Sequence, residues 1–408
     1  MNPNHLLFIS GSVGLGHVTR DLAMARALRQ ALPGVEIDWL AATPGSQVLR
    51  EAGEHLLPEA AAWADESAPG AELAGRNAAR GRPFQFNVLR SFLSNRRQHR
   101  RNVEIFRKAV AARSYALIIG DEAYEIALAL RAGTVRTHAP FVMLYDFIGI
   151  DPMTRHPLEH IGAYVTNRRW ACGYRRNRAV KITPCFIGEA EDIPDRPFGP
   201  GLPNRRRWTR ERCQILGYVL PFDLAQCQDR PALRKRLGYG EEPLVVCTVG
   251  GSGVGRELLA LCVECHPLLR KEIPDLRMLI VGPQMELPAI GDVPGLELRG
   301  YVPALFEHFA ASDLVVTQGG GTSTLELTAL RRPFLYFPLE GHFEQQIHVA
   351  GRLERHGAGI RMRFRETTPR DLAETIAAHI GEQVTYEPIP AEGAHRLAEV
   401  ARGLIEGP

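Results

Sequence analysis

The chain has 408 residues, 45% of them hydrophobic and 23% charged, which excludes wholesale disorder and is too long for one ordinary core, so two domains of roughly 200 residues are expected. Net charge is only +3, yet residues 1–216 hold about 30 of the 49 Lys+Arg and about 21 of the 46 Asp+Glu, so the first half is basic and suits an anionic partner. The opening MNPNHLLFIS lacks the parts of an export signal, no stretch reaches ~18 uninterrupted apolar residues, and seven cysteines suit reduced thiols, so a cytoplasmic protein without membrane spans is expected.

Along the chain, short apolar runs bounded by turn residues alternate with 3.6-periodic stretches, the pattern of parallel strands covered by helices. LLFIS, EIDWLAA, ALIIGD and FVMLYD read as strands of a first sheet, and LVVCTVGG, RMLIVG, LVVTQGGG and PFLYFPL as strands of a second. The spacing of Leu22, Ala25 and Leu28 predicts a helix over 17–30 that ends at Pro33-Gly34. A segment rich in Arg, Pro and Gly over 194–212 reads as the connection between the two sets, with a hinge near 217–223. The expected domains are therefore 1–217 and 223–390, followed by an amphipathic C-terminal helix within 391–408.

Open α/β sheets bind ligands beyond the carboxyl ends of their strands, and the chemically suggestive motifs all follow strands. Ser10-Gly11-Ser12-Val13-Gly14-Leu15-Gly16-His17 is a Gly-rich turn entering a helix, able to approach a phosphate but with neither the dinucleotide nor the P-loop spacing. His17 has two readings here: a base that removes an acceptor proton, or a residue that caps the helix start. Asp121, ending ALIIGD, either orients that imidazole or caps the next helix, and Glu122 is an alternative partner.

In the second half, LVVTQ runs into Gly319-Gly320-Gly321-Thr322-Ser323-Thr324-Leu325-Glu326. Glycines followed by hydroxyls at a helix start make a pyrophosphate cradle, and Glu326, one turn along, can accept from two sugar hydroxyls. A second turn, Gly250-Gly251-Ser252-Gly253, follows LVVCTV and would close over the phosphates. Pro338-Leu339-Glu340-Gly341-His342-Phe343-Glu344-Gln345-Gln346 delivers carboxylate and amide groups suited to hexose hydroxyls.

Residues 240–365 resemble the donor-binding half of UDP-glycosyltransferases and of the bacterial N-acetylglucosaminyltransferase that makes lipid II, within the GT-B superfamily. The resemblance rests on Tyr301-Val302-Pro303, the stretch through Glu326 to Gln346, and Arg352-Leu353-Glu354-Arg355-His356-Gly357-Ala358-Gly359. It implies an α/β GT-B fold, two Rossmann-like domains facing each other across a cleft, with acceptor on the first and donor on the second. It puts the diphosphate on Gly320, Gly321, Thr322 and Ser323, the ribose on Glu326, the sugar hydroxyls on Glu344 and Gln345 with Gln346 adjacent, and the base beside Tyr301 and Val302. Gly251, Ser252 and Gln318 complete the implied donor set. The family's G-x-G-H element falls on Gly14 to His17, adding Gly16 to that set and making His17 the general base, with Asp121 its partner. The sequence departs from many relatives at Gln318, where they have His or Arg, at Arg20, where they have Pro, and at His348, where they have Asn.

Other signals point elsewhere. Cys262-Val263-Glu264-Cys265-His266 spells a haem-attachment motif inside a helical pattern, and is taken as helix packing. The run 90–108 holds Arg96, Arg97, Arg100 and Arg101 with Phe92, Leu93, Val103 and Phe106, which reads as a solvated helix face, as a helix lying on an anionic membrane at the inner surface of the cell, or as a clamp on an acidic acceptor. Nothing accompanies that charge to suggest nucleic acid, and no metal-ligand spacing or Asp-x-Asp loop is present. The expected function is inverting transfer of a hexose-type sugar from a UDP-linked donor to a small or lipid-linked acceptor hydroxyl, without metal or redox cofactor. Alternatives are a nucleotide-sugar epimerase or hydrolase of the same fold, or a non-catalytic nucleotide-sugar or lipid-binding protein.

Overall fold

The computed structural model describes residues 5–11, 14–64, 67–84, 95–173, 180–251, 254–282 and 293–407, with 67–71 and 173 described by backbone alone. The chain divides into two compact units, one of residues 1–69, 88–221 and 390–408, the other of residues 70–87 and 222–389.

Among the described residues the first unit carries seven strands: β1 (His5–Ile9), β2 (Glu36–Leu40), β3 (His55–Leu56), β4 (Leu117–Asp121), β5 (Phe141–Tyr145), β6 (Ile182–Ile187) and β7 (Gln214–Gly217). They form one parallel sheet in the order β3-β2-β1-β4-β5-β6-β7. β4 and β5 are buried along their whole length, which is why they read as unbroken apolar runs rather than alternating ones. The helix Leu15–Ala31 turns Val18, Leu22, Ala25 and Leu28 into the core over that sheet. The helix Gly393–Glu406 buries Leu397, Ala398 and Ala401 in the same core. Its entry is tight, since a Cβ on Gly393 would lie 2.7 Å from the Tyr218 carbonyl oxygen.

The Arg-rich segment read as a connection is folded into this unit. Asn204 caps the helix Arg205–Arg212 by accepting from Arg207 N at 3.0 Å, and Arg205 is buried with both terminal nitrogens on Asp151 at 2.8 Å. β7 follows at once. Arg205, which looks solvated in a one-dimensional reading, is here drawn inside by a carboxylate from a distant loop. β6 escaped notice for a related reason, because Pro184 interrupts its apolar run although the residue still pairs with Met143.

The second unit carries β8 (Leu244–Thr248), β9 (Arg277–Val281), β10 (Leu296–Arg299), β11 (Leu314–Gln318), β12 (Phe334–Phe337) and β13 (Ile360–Arg361), parallel and ordered β10-β9-β8-β11-β12-β13. Two apolar clusters cover its faces. Residues 70–87 belong to this unit through Phe84, which is buried in its core, stacks on Phe364 at 4.6 Å and accepts from Glu340 N at 3.0 Å. Cys262 and Cys265 are fully buried on the helix Glu257–Glu272, as packing residues.

In each sheet the strand order reverses once, between β1 and β4 in the first unit and between β8 and β11 in the second. Such a reversal opens a crevice at the carboxyl ends of the two strands, because the following helices pass to opposite faces.

Candidate functional site

At the first reversal, β1 delivers Ser10 and Gly11, the next helix delivers His17, Arg20 and Asp21, and β4 ends on Asp121. His17 Nδ1 lies 2.6 Å from Asp121 Oδ2. Neither alternative capping role holds: the His17 helix is capped by Gly14 without a side-chain bond, and the helix Tyr124–Ala132 by Ala123, also without one. Gly11 permits the approach, since a Cβ there would lie 2.7 Å from His17 Nδ1. Glu122 holds the left-handed backbone region at φ 50 and places Oε2 3.9 Å from His17 Nε2. A non-glycine residue in that region is strained and is commonly found at functional sites.

Arg20 completes the group. Its NH2 donates to Asp121 Oδ1 and Oδ2, both at 2.8 Å, and its NH1 to Asp146 Oδ1 and Oδ2 at 2.8 and 2.7 Å. Beneath them Asp21 is fully buried, accepting from Ser10 Oγ at 2.6 Å. Burial alone would pull the His17 imidazolium toward neutrality, but the Asp121 carboxylate outweighs it and pushes the imidazole up to about 10. Burial by itself would raise Asp121, and Arg20 and His17 instead hold it down at about 2. Asp21 is raised well above the ordinary carboxylate range, by burial first and by the Asp121 charge second.

At the second reversal the helix Gly321–Ala329 begins directly after β11 and Gly319-Gly320. Gly320, Gly321, Thr322 and Ser323 therefore lie together at a helix N-terminus, where backbone N–H groups lack intrahelical acceptors and the dipole is positive. Thr324 Oγ1 donates to Gly320 O at 2.7 Å, and Arg352 NH2 donates to Gly321 O at 2.6 Å and to Thr324 Oγ1 at 3.0 Å, so the turn is held from behind. Glu326 is buried, and that burial pushes its carboxyl up to about 8. Glu344 opens a π-helical segment, Glu344–Val349, and its Oε1 would stand 3.8 Å from a Cβ on Gly321.

The three glutamines have internal partners. Gln318 donates to Val249 O at 2.9 Å and Val254 O at 3.1 Å and accepts from Gln345 Nε2 at 3.1 Å. Gln345 Oε1 accepts from Leu339 N at 2.8 Å, and Gln346 Nε2 donates to Pro338 O at 2.9 Å and Leu339 O at 3.0 Å. These amides join the loops after β8, β11 and β12. Gly251 lies in the turn after β8, while Ser252 lies outside the described residues. Tyr301 is half exposed and Val302 buried just after β10. Gly16 sits in the first unit beside His17, its carbonyl accepting from Thr19 Oγ1 at 3.1 Å. Sequence reasoning met Arg20 only as a departure from relatives and Arg352 only within the resembling 352–359 stretch, and it missed Asp146 and Asp21 as site members. Asp146 carried the same signal as Asp121, an aspartate at the end of an apolar strand, whereas nothing in the 352–359 stretch showed that Arg352 reaches back to the turn at 320–324.

The chain superposes on the crystal structure of the glycotransferase of kitacinnamycin with a TM-score of 0.59 and 17% identity, covering 99% of this chain and 95% of that one. The fold is GT-B. Within the second half of this GT-B chain, residues 245–401 match the glycosyltransferase family 28 C-terminal domain. An uncharacterized glycosyltransferase of Methanopyrus kandleri is 34% identical over 193 residues, 47% of this chain and 54% of that protein. The UDP-N-acetylglucosamine--N-acetylmuramyl-(pentapeptide) pyrophosphoryl-undecaprenol N-acetylglucosamine transferase of Streptomyces collinus is 28% identical over 184 residues, 43% of this chain and 46% of that enzyme. The chain thus spans about half the length of the curated relatives it matches.

Proposed function

We propose that this protein is a glycosyltransferase that moves a hexose-type sugar from a nucleoside-diphosphate donor, UDP-linked, to an acceptor hydroxyl with inversion. The observation that carries the reading is the His17–Asp121 pair, a partly exposed imidazole on a buried carboxylate, at the strand reversal of the first GT-B unit. Asp121 engages Nδ1, which leaves Nε2 to take the acceptor proton as the oxygen attacks the anomeric carbon. The bond from that carbon to the diphosphate breaks on the opposite face. The departing charge is met by the N–H groups at the start of the helix Gly321–Ala329, so the reading calls for no metal ion. Glu326 would accept from the ribose hydroxyls and Glu344 from those of the sugar.

Turnover of UDP-sugars with a panel of small and lipid-linked hydroxyl acceptors, followed by product stereochemistry, tests this. A positioned base contributes about 10² to 10⁴ in rate, so His17→Ala should lose at least about a hundredfold in kcat while donor affinity holds. Normal turnover of that variant would remove His17 from the mechanism. Donor consumption without an acceptor would favour the hydrolase or epimerase reading.

For the acceptor side, a membrane-associated substrate has specific support. The helix Pro157–Gly173 exposes Leu158, Ile161, Tyr164 and Val165 along one face, flanked by exposed Arg155, Arg168 and Arg169. The basic helix Arg96–Ala112 instead turns Ile105, Phe106 and Ala109 into the protein, which leaves its arginines as a solvated face; Phe92 and Leu93 lie outside the described residues. No helix among the described residues is long and apolar enough to cross a membrane, so contact would be peripheral. Co-sedimentation with anionic vesicles, lost on Ile161→Asp, is the expected result.

A further inference from the structure

We propose that Arg20 is a positioning residue for the His17–Asp121 pair, a guanidinium fork that seats the Asp121 carboxylate against the imidazole and is itself anchored by Asp146. The inference rests on the reading of His17 as the base. Arg20 follows His17 by three residues on one helix, so both side chains leave the same face. Its two terminal nitrogens reach two carboxylates delivered by adjacent parallel strands, Asp121 at the end of β4 and Asp146 directly after β5. A lysine ammonium is a point charge without the planar fork this bridge uses.

An ion pair that only braced the two strands could lie anywhere along them. Arg20 NH2 instead lies 3.1 Å from His17 Nδ1 and donates to the same Asp121 Oδ2 that pairs with His17. Arg20 and Asp121 are both buried, so their charges are poorly screened. Two consequences follow. Asp121 is held by three bonds, one from His17 and two from Arg20, which fixes its carboxylate plane. The Arg20 charge also opposes a second positive charge on the imidazole, moderating a base that Asp121 alone would keep protonated even more tightly. The charged or titratable groups that act on His17 are Asp121, Arg20 and Asp146, with Asp21 below and Glu122 on the Nε2 side. Arg20 and Asp146 act in opposite directions: the guanidinium lowers the proton affinity of His17 and the Asp146 carboxylate raises it.

The test is an NMR pH titration of the full chain labelled with ¹⁵N-histidine, with the His17 signal assigned by its loss in His17→Ala. Arg20→Gln should move the His17 midpoint upward by about one pH unit or more, and Asp146→Asn should move it downward by a similar amount. Arg20→Lys should fall between wild type and Arg20→Gln. Shifts of the same sign in Arg20→Gln and Asp146→Asn, or a midpoint unmoved in both, would overturn the proposal. Should Arg20→Gln not fold, Asp146→Asn decides alone, since an unmoved or raised midpoint contradicts the anchoring role. Unimpaired sugar transfer by His17→Ala would defeat the base reading while leaving these shifts intact, so the two failures are separable.

Discussion

His17 Nδ1 and Asp121 Oδ2 are 2.6 Å apart, and a methyl group on Gly11 would intrude on both, 2.7 Å from that nitrogen and 3.1 Å from that oxygen. Gly11→Ala should therefore displace the imidazole. The expected outcome is a fall in kcat of about ten- to a hundredfold with donor KM unchanged, since a misplaced base loses its proton-transfer contribution. Equal changes in kcat and donor KM would contradict it.

The pH dependence follows from the imidazole raised to about 10. Only the neutral form accepts a proton, so transfer should rise about tenfold per pH unit from neutrality and level off near that midpoint. Stability runs the other way. A histidine whose folded proton affinity exceeds its unfolded one adds stability that is whole below about pH 6.5 and is lost as pH rises through the folded midpoint. Rate profiles and melting curves over pH 6 to 10 check both signs, and a rate flat across that range would exclude His17 as the titrating base.

Glu326, raised to about 8 by burial, should couple nucleotide binding to proton release. Ribose hydroxyls donate to a carboxylate more strongly than to a neutral acid, so UDP affinity should increase from pH 6 to 8 by up to about tenfold per unit and then level off. Folding stability should decline over the same window, because the folded chain keeps a proton that the unfolded chain has already lost. Glu326→Gln should weaken UDP binding at pH 9 and flatten its pH dependence. Calorimetry in buffers of different ionisation enthalpy measures the proton directly.

The helix Gly393–Glu406 is part of the first unit's core, with Leu397 fully buried beside Val18 and Leu216 in one cluster. Leu397→Ala should cost about 2–5 kcal/mol and lower the melting transition of that unit. UDP affinity, which the proposed function assigns to the second unit, should hold below that transition. A loss of less than about 1 kcal/mol in denaturant unfolding would contradict the assignment of the helix to the core.

Much of the fold was legible because continuous apolar runs such as LLFIS, ALIIGD, LVVCTV and LVVTQ leave few alternatives to buried parallel strands, and the glycine turns after them mark strand ends. The elements that escaped lack that signature. β3 and β13 are two residues long, β10 is the half-charged LELR, β6 contains Pro184, and β7 is preceded by a run of arginines of which Arg205 is buried against Asp151. Phe84 could not be assigned to the second unit from its neighbours in sequence, because its stacking on Phe364 joins residues 280 positions apart.

By itself the sequence determined the two parallel sheets, the glycine-to-helix turn at 319–323, and the pairing of His17 with Asp121 as a possibility competing with helix capping. Local chemistry suffices for these, because apolar periodicity and glycine's backbone freedom act over a few residues. Tertiary structure alone decided that capping loses, that Arg20 bridges Asp121 to Asp146, and that Gln318 and Gln345 face each other across joined loops. Those outcomes turn on distances between strand ends far apart in the chain, and a buried charge takes whichever partner the folded sheet brings within reach.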